Sequence, residues 1–305
     1  MKDRIGFIGV GTMGLPMARR LLAAGYHVGF TTRRQQAAEA LEAAGGRAFP
    51  TPLVVADHSD TLLTCLPSDR ELFEVYLGPG GVLEHLGPGA TVIDLSTTSP
   101  MIMQRIVAEA QRRSIHVIDA PVSGGVSGAE SGQLTIMVGA EPEDLDVARP
   151  VLEVLGSRIF HVGDVGMGKV FKIINNLLNG ATLVLIGEAL SLAANAGADL
   201  DVLYDVVASS SGSSRAWVDA VPKLIHGPST PVGFRLELMR KDIGLATSLA
   251  EDLRTPVPVA ALVQQFYTAA CARGLGERES YAVAQLVARR ADASFAPTEQ
   301  VEPSA

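Results

Sequence analysis

Cysteine is scarce in this chain: Cys65 and Cys271 are the whole complement. Two thiols build neither a disulfide framework nor a four-thiolate metal site. Both are expected to be ordinary buried side chains, and no metal is expected. An excess of positive charge is also missing, since 25 Lys and Arg face 33 Asp and Glu for a formal charge of −8. A nucleic-acid binder needs a basic face, so nucleic acid is not an expected partner, although a local anion site is compatible with this balance. No apolar run of lipid-spanning length goes uninterrupted. The longest, 170–196, contains Lys172, Asn175, Asn176, Asn179 and Glu188. It reads as a buried helix of a soluble protein, with no membrane partner. Met1-Lys2-Asp3-Arg4 passes straight into Ile5-Gly6-Phe7-Ile8, without the apolar segment and cleavage region of a secretory leader. The expected location is cytoplasmic.

What is present is a chain of 305 residues, 47% apolar, enough for a substantial core and two domains. Apolar strand patterns near 5–9, 26–31, 61–66, 90–95, 115–119 and 133–138 alternate with helix patterns near 14–24, 36–44, 69–76, 101–112 and 144–154. That alternation predicts a mostly parallel sheet covered by helices. Beyond Gly166 only helices are expected, near 170–196, 200–208, 215–224, 235–253, 256–273 and 278–290, with Gly187 and Gly197 weakening or interrupting them.

Gly9, Gly11 and Gly14 have the spacing of a dinucleotide fingerprint, between an apolar strand and an apolar helix. Gly9 suits a tight turn, Gly11 a close backbone approach to pyrophosphate, and Gly14 helix–sheet packing. The helix amino terminus offers N–H groups to the anion. The fold class expected is an α/β Rossmann-type nucleotide-binding domain over 1–164. An all-α substrate and oligomerisation domain built around the long helix follows over 165–292, with a tail at 293–305 that adds little to the core. At the end of the second strand stands Thr31-Thr32-Arg33-Arg34. An acidic residue there would favour the ribose hydroxyls of NAD. Thr32 can hydrogen-bond instead, and Arg33 and Arg34 can hold an additional phosphate, so NADP is preferred and NAD remains possible. The other reading of the arginine pair is a solvated patch.

Two later segments carry the chemistry. Residues 119–128, Asp-Ala-Pro-Val-Ser-Gly-Gly-Val-Ser-Gly, form either a sharp structural turn or a cradle in which backbone N–H groups and Ser123 meet a small anion. On the long helix, Lys172 and Asn176 share a face that Asn179 extends. Buried polar groups need partners, so this stripe is either a structural network or the polar wall of a substrate site. In the second case Lys172 can exchange an alcohol proton.

Residues 6–18, 119–139, 166–176 and 241–246 resemble, in order, four motifs of the β-hydroxyacid dehydrogenase family, which includes 3-hydroxyisobutyrate dehydrogenases and tartronate semialdehyde reductases. The resemblance implies an NAD(P)-dependent dehydrogenase or semialdehyde reductase in which Lys172 is the catalytic acid/base. By the same resemblance Ser123, Gly124 and Gly125 bind the carboxylate of a small substrate, and Asn176 orients substrate or lysine. Gly9, Gly11, Thr12, Met13 and Gly14 would hold the dinucleotide, together with Thr32, Arg33 and Arg34. Leu66, Pro67 and Thr97 would line the nicotinamide pocket, and Phe234 and Lys241 would approach the cofactor from the second domain. A homodimer or homotetramer is implied. Arg215, Trp217 and Arg235 either shape the substrate pocket or serve surface and packing. Imine reductases resemble the same architecture, and a noncatalytic dinucleotide sensor would keep Gly9 and Gly11 without needing Lys172.

Overall fold

The computed structural model describes residues 4–227, 232–291 and 293. The chain divides into two compact units at Ile173/Ile174. Apart from Ala293, the expected tail lies outside the described residues.

The first unit is a nine-stranded sheet with helices on both faces. Its strands are β1 (Arg4–Ile8), β2 (His27–Thr31), β3 (Arg47–Ala48), β4 (Thr61–Thr64), β5 (Thr91–Asp94), β6 (His116–Asp119), β7 (Val122–Ser123), β8 (Leu134–Gly139) and β9 (Gly156–Gly163). The order is β3-β2-β1-β4-β5-β6-β8-β7, with β9 beside β8. Pairing is parallel from β3 to β6 and between β8 and β9, but antiparallel where β8 meets β6 and β7. Successive side chains of a strand face opposite ways, and both faces here are apolar. Leu63, Ile93 and Ile118 join Phe7, Met17 and Phe30 in one core, whereas Leu62, Val92 and Val117 join Ile8, Tyr76 and Met103 in the other. The helices are α1 (Gly14–Ala23), α2 (Gln35–Glu42), α3 (Pro52–Asp57), α4 (Asp69–Leu77), α5 (Pro100–Gln111), α6 (Gly125–Ser131) and α7 (Pro142–Leu155).

Several elements depart from the sequence expectation. Strand β3 is two exposed residues on the sheet edge, too short for a period. Helix α3 has six residues and depends on its cap, with Thr51 Oγ1 accepting the Val54 N–H and Pro52 at its start. The glycine-rich stretch after Asp119 is not one loop. It contains β7 and α6, joined through Gly124 and the first helical residue Gly125, whose φ values of 136° and 64° lie where glycine is favoured.

Helix α8 (Met167–Asn195) runs across the division as one 29-residue helix. The second unit holds its later part with α9 (Leu200–Ala208), α10 (Arg215–His226), α11 (Leu236–Asp252), α12 (Pro258–Cys271) and α13 (Val283–Arg290). Gly187 does not interrupt α8. A Cβ there would lie 2.8 Å from Ala284 Cα, so the glycine admits α13 at close range. By length and composition α8 is apolar enough to cross a bilayer, but Leu183, Val184, Ile186 and Leu190 are buried in the unit's own core with Leu224, Met239 and Ile243. Neither cysteine is fully buried; both are half-exposed and outside any disulfide. Burial pushes the Cys271 thiol up to about 11, helped by Glu237, so it stays protonated near neutrality.

Candidate active site

The chain leaves β1 into the glycine loop directly beside β4. Gly9 has φ 98°, and a Cβ on it would stand 2.3 Å from the Cys65 carbonyl oxygen. At Gly14 a Cβ would stand 2.1 Å from the Gly9 carbonyl, so α1 seats on the turn only through glycine. Around Gly11 nothing lies within 4 Å of the missing Cβ, which leaves its backbone open to a ligand. Met13 caps α1 without a side-chain hydrogen bond, and no carboxylate occupies the first turn. Thr12 is exposed and Met13 half-buried. Open backbone at an uncapped helix start fits a pyrophosphate.

Ile8 is in register with Thr31 of the neighbouring β2, so the end of β2 lies one strand away from this loop. Thr32 Oγ1 accepts the Arg34 N–H at 3.1 Å and shapes the turn. Arg33 and Arg34 are exposed, and α2 begins without an acidic residue in its first turn. Neither arginine ion-pairs with a described residue.

A buried polar network occupies the ends of β4, β5 and β6. Asp94 Oδ1 accepts from Thr64 Oγ1 at 2.5 Å and Ser96 Oγ at 2.6 Å, while its Oδ2 pairs with the Lys169 ammonium. Thr64 also bonds Tyr76, and Ser96 Oγ accepts the Leu66 N–H at 2.8 Å. Asp119 accepts the backbone N–H groups of Gly166 at 2.6 Å and Lys169 at 2.8 Å. The start of α8 is thus fastened to the sheet beside Leu66-Pro67 and Thr97.

Burial pushes the Asp119 carboxyl up to about 6, against the pull of Lys169 and the two N–H donors. With an unfolded value near 4, the fold favours protonated Asp119 between about pH 4 and about pH 6. Its contribution is complete below that window and lost as pH rises through it. The stability advantage of wild type over Asp119→Asn should therefore shrink from about pH 4.5 to about pH 7.5, by on the order of 2 kcal/mol. Urea unfolding at both pH values checks this. An advantage that grows would contradict it.

Along α8 the usual pattern is inverted. Lys169, Lys172 and Asn176 are buried at 0%, 8% and 4% exposure, while Phe171, Ile174 and Leu178 are 46%, 50% and 65% exposed. In the second unit Asn176 Nδ2 donates to Asp242 Oδ2 at 2.5 Å, and Asn175 donates to Asn176 Oδ1 at 3.0 Å. Lys241 Nζ lies 2.8 Å from Asp242 Oδ1, an ion contact without hydrogen-bond alignment. The Gly233 and Phe234 N–H groups both donate to Glu279, which fixes the backbone at Phe234. Trp217 belongs to the core of this unit. Arg215 and Arg235 are surface residues paired with Asp219 and Glu277.

The family model describing the NAD-binding domain of 6-phosphogluconate dehydrogenase matches residues 4–163. That for the NAD-binding region of NADP-dependent 3-hydroxyisobutyrate dehydrogenase matches 166–287. The chain is 38% identical over 280 residues to 2-(hydroxymethyl)glutarate dehydrogenase of Eubacterium barkeri, covering 92% of this chain and 93% of that one. The chain belongs to the β-hydroxyacid dehydrogenase family. NAD-dependent L-serine dehydrogenase of Pseudomonas aeruginosa is 35% identical over 289 residues, covering 93% and 97% of the two chains. The solved structure of Mycobacterium tuberculosis 3-hydroxyisobutyrate dehydrogenase with L-serine gives a TM-score of 0.84 at 30% identity, covering 94% of this chain and 99% of that one.

As a β-hydroxyacid dehydrogenase the chain uses a nicotinamide cofactor and a small hydroxy acid. Sequence reasoning passed over Lys169, Asp94, Ser96 and Asp242. A trace of the first was available, because Lys169 precedes Lys172 by three residues and shares its helix face. Asp94 and Asp242 gave no such local sign, since their partners lie 75 and 66 residues away.

Proposed function

We propose that this dehydrogenase interconverts a short 3-hydroxy carboxylic acid and its semialdehyde or keto acid, prefers NADP, and uses Lys172 as its acid/base. The inverted face of α8 carries the reading. Burying a lysine and an amide while Phe171, Ile174 and Leu178 face out costs stability, and a site for a polar reacting group accounts for that cost. The nicotinamide supplies hydride acceptance in one direction and donation in the other. Neutral Lys172 takes the hydroxyl proton during oxidation, and its ammonium returns a proton to the forming alkoxide during reduction. Ser123 Oγ and the Gly124 and Gly125 N–H groups hold the substrate carboxylate. A Cβ at Gly125 would meet nothing within 4 Å, in keeping with room for a ligand. Asn176, itself held by Asp242, orients the substrate or Lys172. Fixing the reacting carbon in this way supplies much of the rate.

The first 164 residues serve the dinucleotide and 165–292 the substrate and association. Gly9, Gly11, Thr12, Met13 and Gly14 receive the pyrophosphate, and Thr32, Arg33 and Arg34 the adenosine phosphate. Leu66, Pro67 and Thr97 border the nicotinamide, and Phe234 and Lys241 are assigned to cofactor binding. Exposed Ile174, Leu178, Leu185 and Leu192 on α8 support a homodimer or homotetramer.

The test is a panel of short 3-hydroxy acids, semialdehydes and cyclic imines with NAD and NADP, followed by nicotinamide absorbance. Turnover of a hydroxy acid or semialdehyde is expected, faster with NADP at limiting cofactor. Turnover of imines alone would overturn the substrate assignment, and substrate-independent binding without turnover would indicate a sensor.

A further inference from the structure

We propose that Lys169 is a positioning residue: its buried pairing with Asp94 sets the start of α8, and with it Lys172, against the loops that follow β4 and β5. The inference rests on the acid/base assignment of Lys172 made above. Lys169 is fully buried, and its ammonium donates to the Asp94 carboxylate, to the Asp94 carbonyl at 3.2 Å and to the Ser96 carbonyl at 2.7 Å. Those three acceptors use the donor capacity of an ammonium. The main chain of the same residue is tied separately, through its N–H to Asp119. Lys169 is therefore fastened at both ends, to β6 by its backbone and to the end of β5 by its side chain.

The consequences spread along three segments. Ser96, held by Lys169 through its carbonyl, takes the Leu66 N–H on its hydroxyl and immediately precedes Thr97. Lys172 stands three residues beyond Lys169 on the same face of α8. The helix start has almost no slack, because a Cβ at Gly168 would lie 2.4 Å from the Met137 carbonyl oxygen and 2.6 Å from Asp119 Oδ2. A well-packed apolar pair could hold a helix on a sheet at least as stably as a buried ion pair. What the ion pair adds is direction, since its bonds hold only at one azimuth and height of α8.

The double variant Asp94→Asn with Lys169→Met removes both charges of the pair together and leaves Asp119 its two backbone N–H donors. It is expected to keep dinucleotide affinity within about threefold, because the glycine loop is untouched. Its kcat is expected to fall about 100-fold with little change in KM, the scale of a displacement near 1 Å. Amide hydrogen exchange over residues 168–172, measured without dinucleotide, should quicken relative to the rest of α8. A purely structural role would instead lower the unfolding midpoint and leave the kcat of the remaining folded protein unchanged. Wild-type kcat with unchanged exchange, beside an inactive Lys172→Ala, overturns the positioning role alone. An active Lys172→Ala overturns the acid/base assignment, and the exchange result is then still readable. Should the double variant not fold, Ser96→Ala decides. About a tenfold loss of kcat is expected of it, and an unchanged kcat overturns the proposal.

Discussion

Lys172→Ala is expected to lower turnover by about 10³-fold or more while leaving dinucleotide affinity within about twofold. A positioned acid or base contributes roughly 10² to 10⁴ in rate, and the buried surroundings of Lys172 place this case toward the upper end. After truncation the polar groups left on that face of α8 are the Lys169 ammonium, committed to Asp94 and Ser96, and the Asn176 amide, which neither gives nor takes a proton near neutrality. A loss of 10³ corresponds to about 4 kcal/mol of transition-state stabilisation. The proposed pyrophosphate site, the Gly9–Gly11–Gly14 loop at the end of β1, is untouched by the substitution. Steady-state kinetics at saturating cofactor, with titration of reduced dinucleotide by fluorescence, separates the two effects. Turnover near that of wild type would remove Lys172 from the chemistry.

Replacing Arg33 and Arg34 together by alanine is expected to weaken NADP by on the order of 100-fold or more and NAD by about threefold at most. Hydrogen bonds to a charged group contribute about 1.5–3 kcal/mol each, and the two cofactors differ only by the phosphate these side chains are proposed to meet. Both arginines are exposed, so their removal should cost the fold almost nothing. The loss should also shrink as salt is raised, because screening weakens the wild-type contact first. Equal losses for both cofactors would assign the pair to a solvated surface and leave the preference to other residues.

Much of the first unit was legible because its signals are local. β1, the glycine loop and α1 follow one another within twenty residues, and α8 announces itself by length and composition. Strand β3 and helix α3 lacked enough residues to show a period, and their order comes from an edge pairing and the Thr51 cap. Glycines at 124 and 125 were legible as a turn, but not as the joint between β7 and α6. Lys172 and Asn176 stood out by spacing alone. The burial that makes them unusual did not, because an exposed Phe171 beside a buried Lys172 is the reverse of ordinary amphipathic patterning. The Asp94–Lys169–Asp119 network joins residues 50 to 75 positions apart, a separation that only the closed sheet brings together.

The acid/base assignment is tested most directly by pH–rate profiles in both directions on one hydroxy acid and its semialdehyde. On that assignment oxidation needs neutral Lys172 and reduction needs its ammonium. Oxidation should therefore accelerate with rising pH and reduction should slow, and both limbs should vanish from the residual activity of Lys172→Ala. Limbs that run the same way, or that survive the substitution, would contradict the account.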